Sequence, residues 1–491
     1  MHPANLRQLC ECPLLIVYFC KTVAKRKFKR YTLEGLEITG ITAEGMAVGR
    51  HEGLVVFVKG AVPGDKADVL VLRKKKNFLE GEVSRIVESS MDRVKPVCEH
   101  FGVCGGCKWQ HLSYTAQLNY KFQQVTDAMS RIGHLDVEAY APIAGNSSPY
   151  FYRNKLEFTA SDKRWLTVEE IGERDTIAFQ NAIGFHIPGM FDKVLDIQHC
   201  HLQAEPSNAI RLAVKDYLVR HGLTFFNIRH QHGFLRTLMI RTTSTGEIMV
   251  LVAVFENDEA ALTGLLSHLK TQFPQITALL YTHNGKKNDT LEGLEIKVFH
   301  GVAYITEKME GLAFRISAKS FYQTNSLQAY ELYKITREFC GLTGNETVYD
   351  LYTGTGTIAN FVARQAKKVV GVEYVEDAVI DARRNSELNQ IHNTTFFAGD
   401  MKEVLNEAFV QEHGQPDVII TDPPRAGMHE EVVKVILKAN PNKIVYVSCN
   451  PATQARDLAL MSEQYRVVKM QPVDMFPQTT HVENVALLVR K

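Results

Sequence analysis

The chain has 491 residues, 45% of them hydrophobic and 23% charged, with a net charge of +1. One hydrophobic core rarely grows to that length, so roughly two to four domains are expected. The composition excludes a disordered chain, and the near-neutral balance excludes a polycation, so any nucleic-acid contact must come from local patches.

Residues 1–28 read as an extension. Leu14 to Cys20 is an apolar run too short for a membrane helix, and Glu11 before it and the basic run after it compromise it as an export signal. A cytoplasmic chain with no membrane association is the expectation, and no obligate protein partner is readable. Cys10, Cys12 and Cys20 lie here without an evident fourth metal ligand. Lys25-Arg-Lys-Phe-Lys-Arg30 is either a solvated segment or an arm that touches phosphate.

From Tyr31 to Ser90, short β-rich segments such as Leu54–Val58 and Lys66–Val71 alternate with glycine turns, the pattern of a small barrel of about five strands. Gly45-Met-Ala-Val-Gly-Arg50, taken with Gly60-Ala-Val-Pro-Gly-Asp65, resembles a TRAM domain, an OB-type RNA-binding barrel. The resemblance implies that residues 29–91 bind RNA, with Arg73, Lys74, Lys75 and Lys76 gripping its backbone.

Next come Cys98, Cys104 and Cys107, three cysteines in ten residues with glycines between them. In a chain with no convincing export signal they argue for metal or cluster ligation over disulfides, and Cys200 in His199-Cys200-His201 is the best fourth ligand. Spacing alone allows zinc or an iron–sulfur cluster. Leu112 to Ile132 reads as a helix, and 150–310 as mixed α/β, so that residues 92–310 form a central α+β domain.

Residues 311–491 carry the chemistry-bearing motifs. Val348–Tyr352 reads as a strand, Gly354-Thr-Gly356 as a tight turn, Thr357–Lys367 as a helix, and Val369–Val372 as a second strand ending in Glu373. This βαβ unit puts glycines where a backbone approaches a ligand and an acid where ribose hydroxyls would lie. It also satisfies the G-x-G-x-x-A dinucleotide pattern, which leaves a nicotinamide or flavin open. Asp422-Pro-Pro-Arg425 ends another apolar strand in a rigid loop. Ile444–Val447 is a buried strand, and Cys449 follows in its terminal turn, at the rim where α/β sheets bind ligands. By itself a cysteine there is more often a small buried hydrophobe than a nucleophile. Glu483 lies just ahead of the apolar strand Val485–Val489, where it could act as a base opposite Cys449 or be a solvated acid. Cys340 reads as core.

Asp-Leu-Tyr-x-Gly-x-Gly (350–356), Asp-Pro-Pro-Arg, Val-Ser-Cys-Asn-Pro (447–451) and Phe-Pro-x-Thr-x-His-Val-Glu (476–483) occur in that order. With Ser320-Phe-Tyr-Gln-Thr-Asn325 and Arg153-Asn-Lys155 they resemble the RNA uracil-C5 methyltransferase family. The resemblance implies a Rossmann-like domain that uses S-adenosylmethionine (SAM), preceded by the TRAM barrel and the central domain. It makes Cys449 the nucleophile toward uracil C6 and Glu483 the base that removes the C5 proton. It assigns Gln323, Tyr352, Thr357, Glu373, Asp400 and Asp422 to the cofactor, and Cys98, Cys104, Cys107 and Cys200 to a structural [4Fe–4S] cluster. A TRAM domain together with a cluster motif looks more like the 23S rRNA enzymes of the family than its bacterial tRNA enzyme, although archaeal-type tRNA enzymes weaken that distinction. Two readings compete: a nicotinamide oxidoreductase with an electron-transfer cluster, which leaves Cys449 and Glu483 unexplained, and a non-catalytic RNA-binding factor, which the presence of both residues disfavours.

Overall fold

The computed structural model describes residues 28–172 and 180–491. Cys10, Cys12, Cys20 and the first half of the basic run lie outside the described residues. Among those described, no helix is long and apolar enough to cross a membrane.

Five strands, β1 (Tyr31–Ile41), β2 (Ala47–His51), β3 (Leu54–Lys59), β4 (Lys66–Lys74) and β5 (Phe78–Glu88), close a barrel in the order β1-β2-β3-β5-β4. Alternation fills its interior: Ala67, Val69 and Val71 of β4 join Val56, Val58 and Leu79 in a dry core. Lys74, the last residue of β4, and Lys75 and Lys76 just beyond it stay exposed. The turn between β1 and β2 reaches the far end of the chain. A Cβ on Gly45, at φ 87°, would meet the Thr480 methyl at 2.7 Å, so only glycine permits this approach.

The stretch after the barrel divides between two sheets. Ser113 caps helix α1 (Tyr114–Ala128), a wide turn over Met129–Gly133 ends it, and β6 (Val137–Tyr140) pairs with a strand more than 300 residues later. The rest builds a central layer from β7 (Lys155–Ser161), the short α2 (Val168–Ile171), β8 (Ala182–Ile187), β9 (Met190–Asp196), α3 (Ser207–Arg220), β10 (Leu235–Thr242), β11 (Ile248–Val254), α4 (Glu259–Gln272), β12 (Ile276–His283) and β13 (Lys297–Gly301). Its seven strands run β13-β12-β11-β10-β7-β8-β9, and the wholly apolar β11 lies among them against Ile210, Val214, Leu265 and Leu269 of α3 and α4. A hairpin of β14 (Tyr304–Met309) and β15 (Leu312–Ser317) leads onward.

The last layer is doubly wound. It comprises α5 (Ser326–Cys340), β16 (Thr347–Leu351), α6 (Thr357–Ala363), β17 (Lys368–Glu373), α7 (Glu376–Leu388), β18 (Thr394–Ala398), α8 (Met401–Val404), α9 (Glu407–His413), β19 (Val418–Thr421), α10 (Glu430–Ala439), β20 (Lys443–Ser448), α11 (Pro451–Met461), β21 (Tyr465–Val473) and β22 (Glu483–Arg490). The sheet has eight strands, β18-β17-β16-β19-β20-β22-β21-β6, where a count from this segment alone reaches seven, because β6 adds an edge from upstream. Val348, Ile420 and Val445 face one core with α5, α6 and α7, and Tyr349, Ile419 and Ile444 face another with α1, α10 and α11. Burial on both faces explains why these strands read as continuous apolar runs. Cys340 is fully buried at the end of α5, as its helix position suggests.

Candidate active site

All the candidate residues of the last layer lie on one rim. β16 to β20 are parallel, so their C-terminal ends share an edge, and antiparallel β22 begins on it. Walking from β18 across to β22, the rim carries Asp400, Glu373, Tyr352, Asp422, Cys449 and Glu483, one from each consecutive strand end. Ser448 pairs with Asn484, so one further step of register sets Cys449 across from Glu483. Glu483 is the first residue of β22 and not ahead of it, which fixes its backbone in the ladder.

Local chemistry shapes each turn. The Asn450 side chain accepts from the Ala452 N–H at 3.1 Å and Pro451 opens α11, so Cys449 stands at a helix N-terminus. Asn450 also donates to the Arg425 carbonyl at 3.1 Å, tying the Asp-Pro-Pro-Arg loop to the cysteine turn. Burial pushes the Cys449 thiol up to about 11, and the charges of Glu483 and Asp422 add to it while Arg425 opposes. Burial also raises Glu483 to about 8 and Asp422 to about 7. By surface area Glu483 is buried and Asp422 only partly so, which fits carboxyls that face a crevice and not bulk water. Neither forms an ion pair among the described residues.

The turn after β16 leaves space open at Gly354 and sets a carboxylate beside it. Tyr352 and Gly354 are left-handed, at φ 62° and 56°, and a Cβ on Gly354 would project into open space. The Gly354 N–H donates to Glu373 Oε2 at 3.0 Å, which presents that carboxylate beside the turn. Thr357 begins α6 and is buried, its hydroxyl 3.3 Å from that of Thr355. Asp400 caps α8 by accepting from the Lys402 N–H. Gln323 is held through its carbonyl, which accepts from the Asn154 side chain at 2.9 Å. α6 stops at Ala363, short of the Lys367 end that its sequence suggests.

A cavity of about 800 Å³ opens beside Cys449 and Glu483 and runs to the cysteine motif. Arg425, Thr479 and His481 line one end, Arg153 and Phe476 lie along it, and Cys98, Cys104, Cys107 and Cys200 line the other. All four cysteines are free. Burial pushes Cys104 up to about 11 and Cys107 up to about 12, and each feels the charges of the others. Cys98 and Cys200 are raised by burial as well. Among the described residues no three His, Cys, Asp or Glu side chains are grouped as a site for a metal ion. The cofactor set does not reach this cavity: Gln323, Tyr352, Thr357, Glu373 and Asp400 line none of it.

Sequence reasoning missed the residues that hold these groups. Gln110 accepts from the Cys98 N–H at 3.0 Å, and Asn208 accepts from the Cys200 N–H at 2.8 Å. The loop 474–482 that delivers Glu483 is clamped by α1. Lys121 donates to Asp474 at 2.5 Å and to the Phe476 carbonyl at 3.0 Å, and Tyr114 donates to Asp474 at 2.7 Å. Gln478, left-handed at φ 67°, is gripped by the Gln117 side chain, and its carbonyl accepts from the Lys108 and Trp109 N–H groups. Only the Asn-Pro start of α11 left a local signal.

Residues 295–491 match the model of the tRNA (Uracil-5-)-methyltransferase family, and residues 33–84 that of the TRAM domain. An "Uncharacterized RNA methyltransferase" of Porphyromonas gingivalis is 58% identical, over 93% of this chain and 99% of its own. One of Chlorobaculum tepidum is 41% identical, over 94% and 98%. The chain belongs to the RNA uracil-C5 methyltransferase family. The solved structure of Pyrococcus abyssi tRNA (uracil-54, C5)-methyltransferase in complex with S-adenosyl-L-homocysteine (SAH) is also similar, with TM-score 0.71 and 29% identity over 93% of this chain and 100% of that one. As a SAM-dependent RNA methyltransferase of this family, the chain is not the nicotinamide oxidoreductase that its glycine turn left open.

Proposed function

We propose that the chain methylates C5 of a uridine in 23S rRNA, with Cys449 as nucleophile and Glu483 as base. The observation that carries this reading is the register of β20 against β22, which sets that thiol and that carboxyl across from each other on the rim that also bears the glycine turn. Uracil C5 is a poor nucleophile until a thiolate adds to C6. Cys449 makes that bond, aided by the N-terminus of α11 and by Arg425, both of which favour the thiolate. Bound SAM supplies an electrophilic methyl group for C5. Glu483 in its ionised form then takes the C5 proton, and Cys449 departs by elimination. Its burial keeps that carboxyl weakly acidic, so it is a strong enough base for the step. Gln323, Tyr352, Thr357, Glu373, Asp400 and Asp422 are the residues we propose to hold SAM.

Cys98, Cys104, Cys107 and Cys200 are proposed ligands of a [4Fe–4S] cluster. Support comes from the donor set: four free, half-buried thiols from two segments at one end of one cavity. A cluster takes one thiolate per iron, so four thiols match its four irons. Its place here is structural, because it would tie the loop before α1 to the loop before α3.

A second reading, tRNA as substrate, is favoured by the full-length likeness to the archaeal tRNA enzyme. Transfer from labelled SAM to unmodified 23S rRNA and tRNA transcripts tests both. Label at uridine C5 of rRNA supports the first, label on tRNA replaces it with the second, and label on neither overturns the reading.

A further inference from the structure

The sheet edge holds one more acid than the proposed chemistry uses. Asp350, on β16, is buried beneath the glycine turn, and its one hydrogen-bond donor among the side chains is the Thr353 hydroxyl at 2.5 Å. Its other carboxyl oxygen is buried without a hydrogen bond of normal geometry, and the nearby Ala359 N–H favours the charged form against burial. Asp350 pairs in register with Ile420, two residues before Asp422, and the Asp422 N–H donates back to the Leu351 carbonyl at 3.3 Å. β19, β20 and β22 follow in the sheet, so Asp350, Asp422, Cys449 and Glu483 come in that order along the rim, a row of carboxyl groups with the thiol between the last two.

We propose that Asp350 is a positioning residue: the row Asp350–Asp422–Glu483 holds a proton before SAM arrives and releases it to solvent when SAM binds, leaving Glu483 ionised for its step. The inference rests on the functional reading above. Like charges confined in a poorly hydrated crevice cannot all ionise, so the row retains protons until a positive charge enters. SAM brings that charge in its sulfonium, and SAH lacks it. The proton leaves a carboxyl oxygen for bulk water, and no other bond changes.

The groups facing the row are named by their elements. Tyr333 and Cys340 approach from α5, Glu373 from β17, and Cys449 and Arg425 from the rim turns. Arg425 is the one cation among them, and it is exposed and forms no ion pair with the row among the described residues. Burial raises Asp350 to about 7 with Glu373 adding to it, the charge of Asp350 adds to the rise of Asp422, and that of Asp422 to the rise of Glu483, so the coupling runs stepwise along the row. Tyr333 is pushed up by burial and then by Tyr322, Asp422, Asp350 and Glu483, so it feels all three acids of the row.

Binding linked to proton release has a definite sign. SAM affinity rises with pH through the range of the row, by up to about tenfold per pH unit for one proton released, and SAH affinity stays nearly flat. Calorimetry of the full chain with SAM and with SAH, in buffers of different ionisation enthalpy, reads the protons directly and requires no turnover. Asp350→Asn keeps the size and the Thr353 hydrogen bond but removes one member of the row. The expected result is release of a fraction of a proton to one proton with SAM, none with SAH, and a reduced release in Asp350→Asn, whose pH–rate profile moves its acid limb to lower pH. A merely structural Asp350 would lower the rate without moving that limb. Equal proton counts for SAM and SAH, or an unmoved limb in a folded Asp350→Asn, overturn the proposal. Proton release by a protein that labels no RNA would leave this proposal standing and remove the functional reading instead.

Discussion

The two ends of the cavity are built on different principles. At the Cys449 end every functional group sits on the edge of a sheet, and hydrogen-bonded register sets which side chain faces which. At the other end Cys98, Cys104, Cys107 and Cys200 sit on loops, where Gln110 accepts from the Cys98 N–H and the Asn208 side chain bonds both backbone groups of Cys200. Both ends raise their thiols by burial, yet only at the Cys449 end does strand register set the geometry. Geometry that must be ready for chemistry is drawn from rigid elements, and geometry that a bound group can impose is left to loops.

Substitutions at the two ends should therefore separate cleanly. Cys449→Ala is expected to abolish methyl transfer while leaving the unfolding midpoint within the error of wild type, since the thiol is half-buried at a turn. Cys107→Ala should do the reverse: protein purified without oxygen loses iron, sulfide and visible absorbance, and stability drops with them. If Cys449→Ala also unfolds the chain, the rim is not the independent unit described.

The clamp between the ends comes next in size. Asp474→Ala strands Lys121 in a fully buried site and should cost about 3–5 kcal/mol in denaturant titration. Replacing both partners with apolar residues should recover most of it, and failure to recover would mean that the loop needs the charges themselves.

pH then distinguishes the ends again. Glu483 must be ionised to act, so the rate should climb as pH rises toward about 8. Its folded pKa lies above the ordinary carboxylate range, so the native state binds more protons than the unfolded one between those limits. Stability contributed by this group is therefore present below that window and falls as pH rises through it. Opposite trends of rate and stability over one pH range would mark Glu483, and parallel trends would count against it.

The smallest effect concerns the barrel. Gly45→Ala adds a methyl group 2.7 Å from the Thr480 side chain at a left-handed position, and should cost about 1 kcal/mol or somewhat more. A matching rise in KM for RNA would tie the barrel turn to the loop that carries Glu483.

Most of the rim was legible in the sequence because parallel strands buried on both faces are uniformly apolar and end in polar turns: Val418–Thr421 into Asp422, and Lys443–Ser448 into Cys449. The barrel was legible for the same kind of reason, alternation punctuated by glycine. β6 was not. Its four residues are half-exposed, and only the distant β21 makes them a strand. Lys121 carries no local signal of its burial, because its partner lies 353 residues away. The row of carboxyls was hidden for a subtler reason: Asp350 lies within β16, Asp422 follows β19 and Glu483 begins β22, and strand order alone brings them to one rim.

The central claim, that Cys449 bonds to the target base and Glu483 releases it, is tested most directly by Glu483→Gln incubated with SAM and the RNA substrate. The account predicts a protein–RNA adduct that survives denaturation, contains the transferred methyl group and disappears when Cys449→Ala is combined with it. Methylated free RNA with no adduct, or an adduct that persists without Cys449, would contradict it.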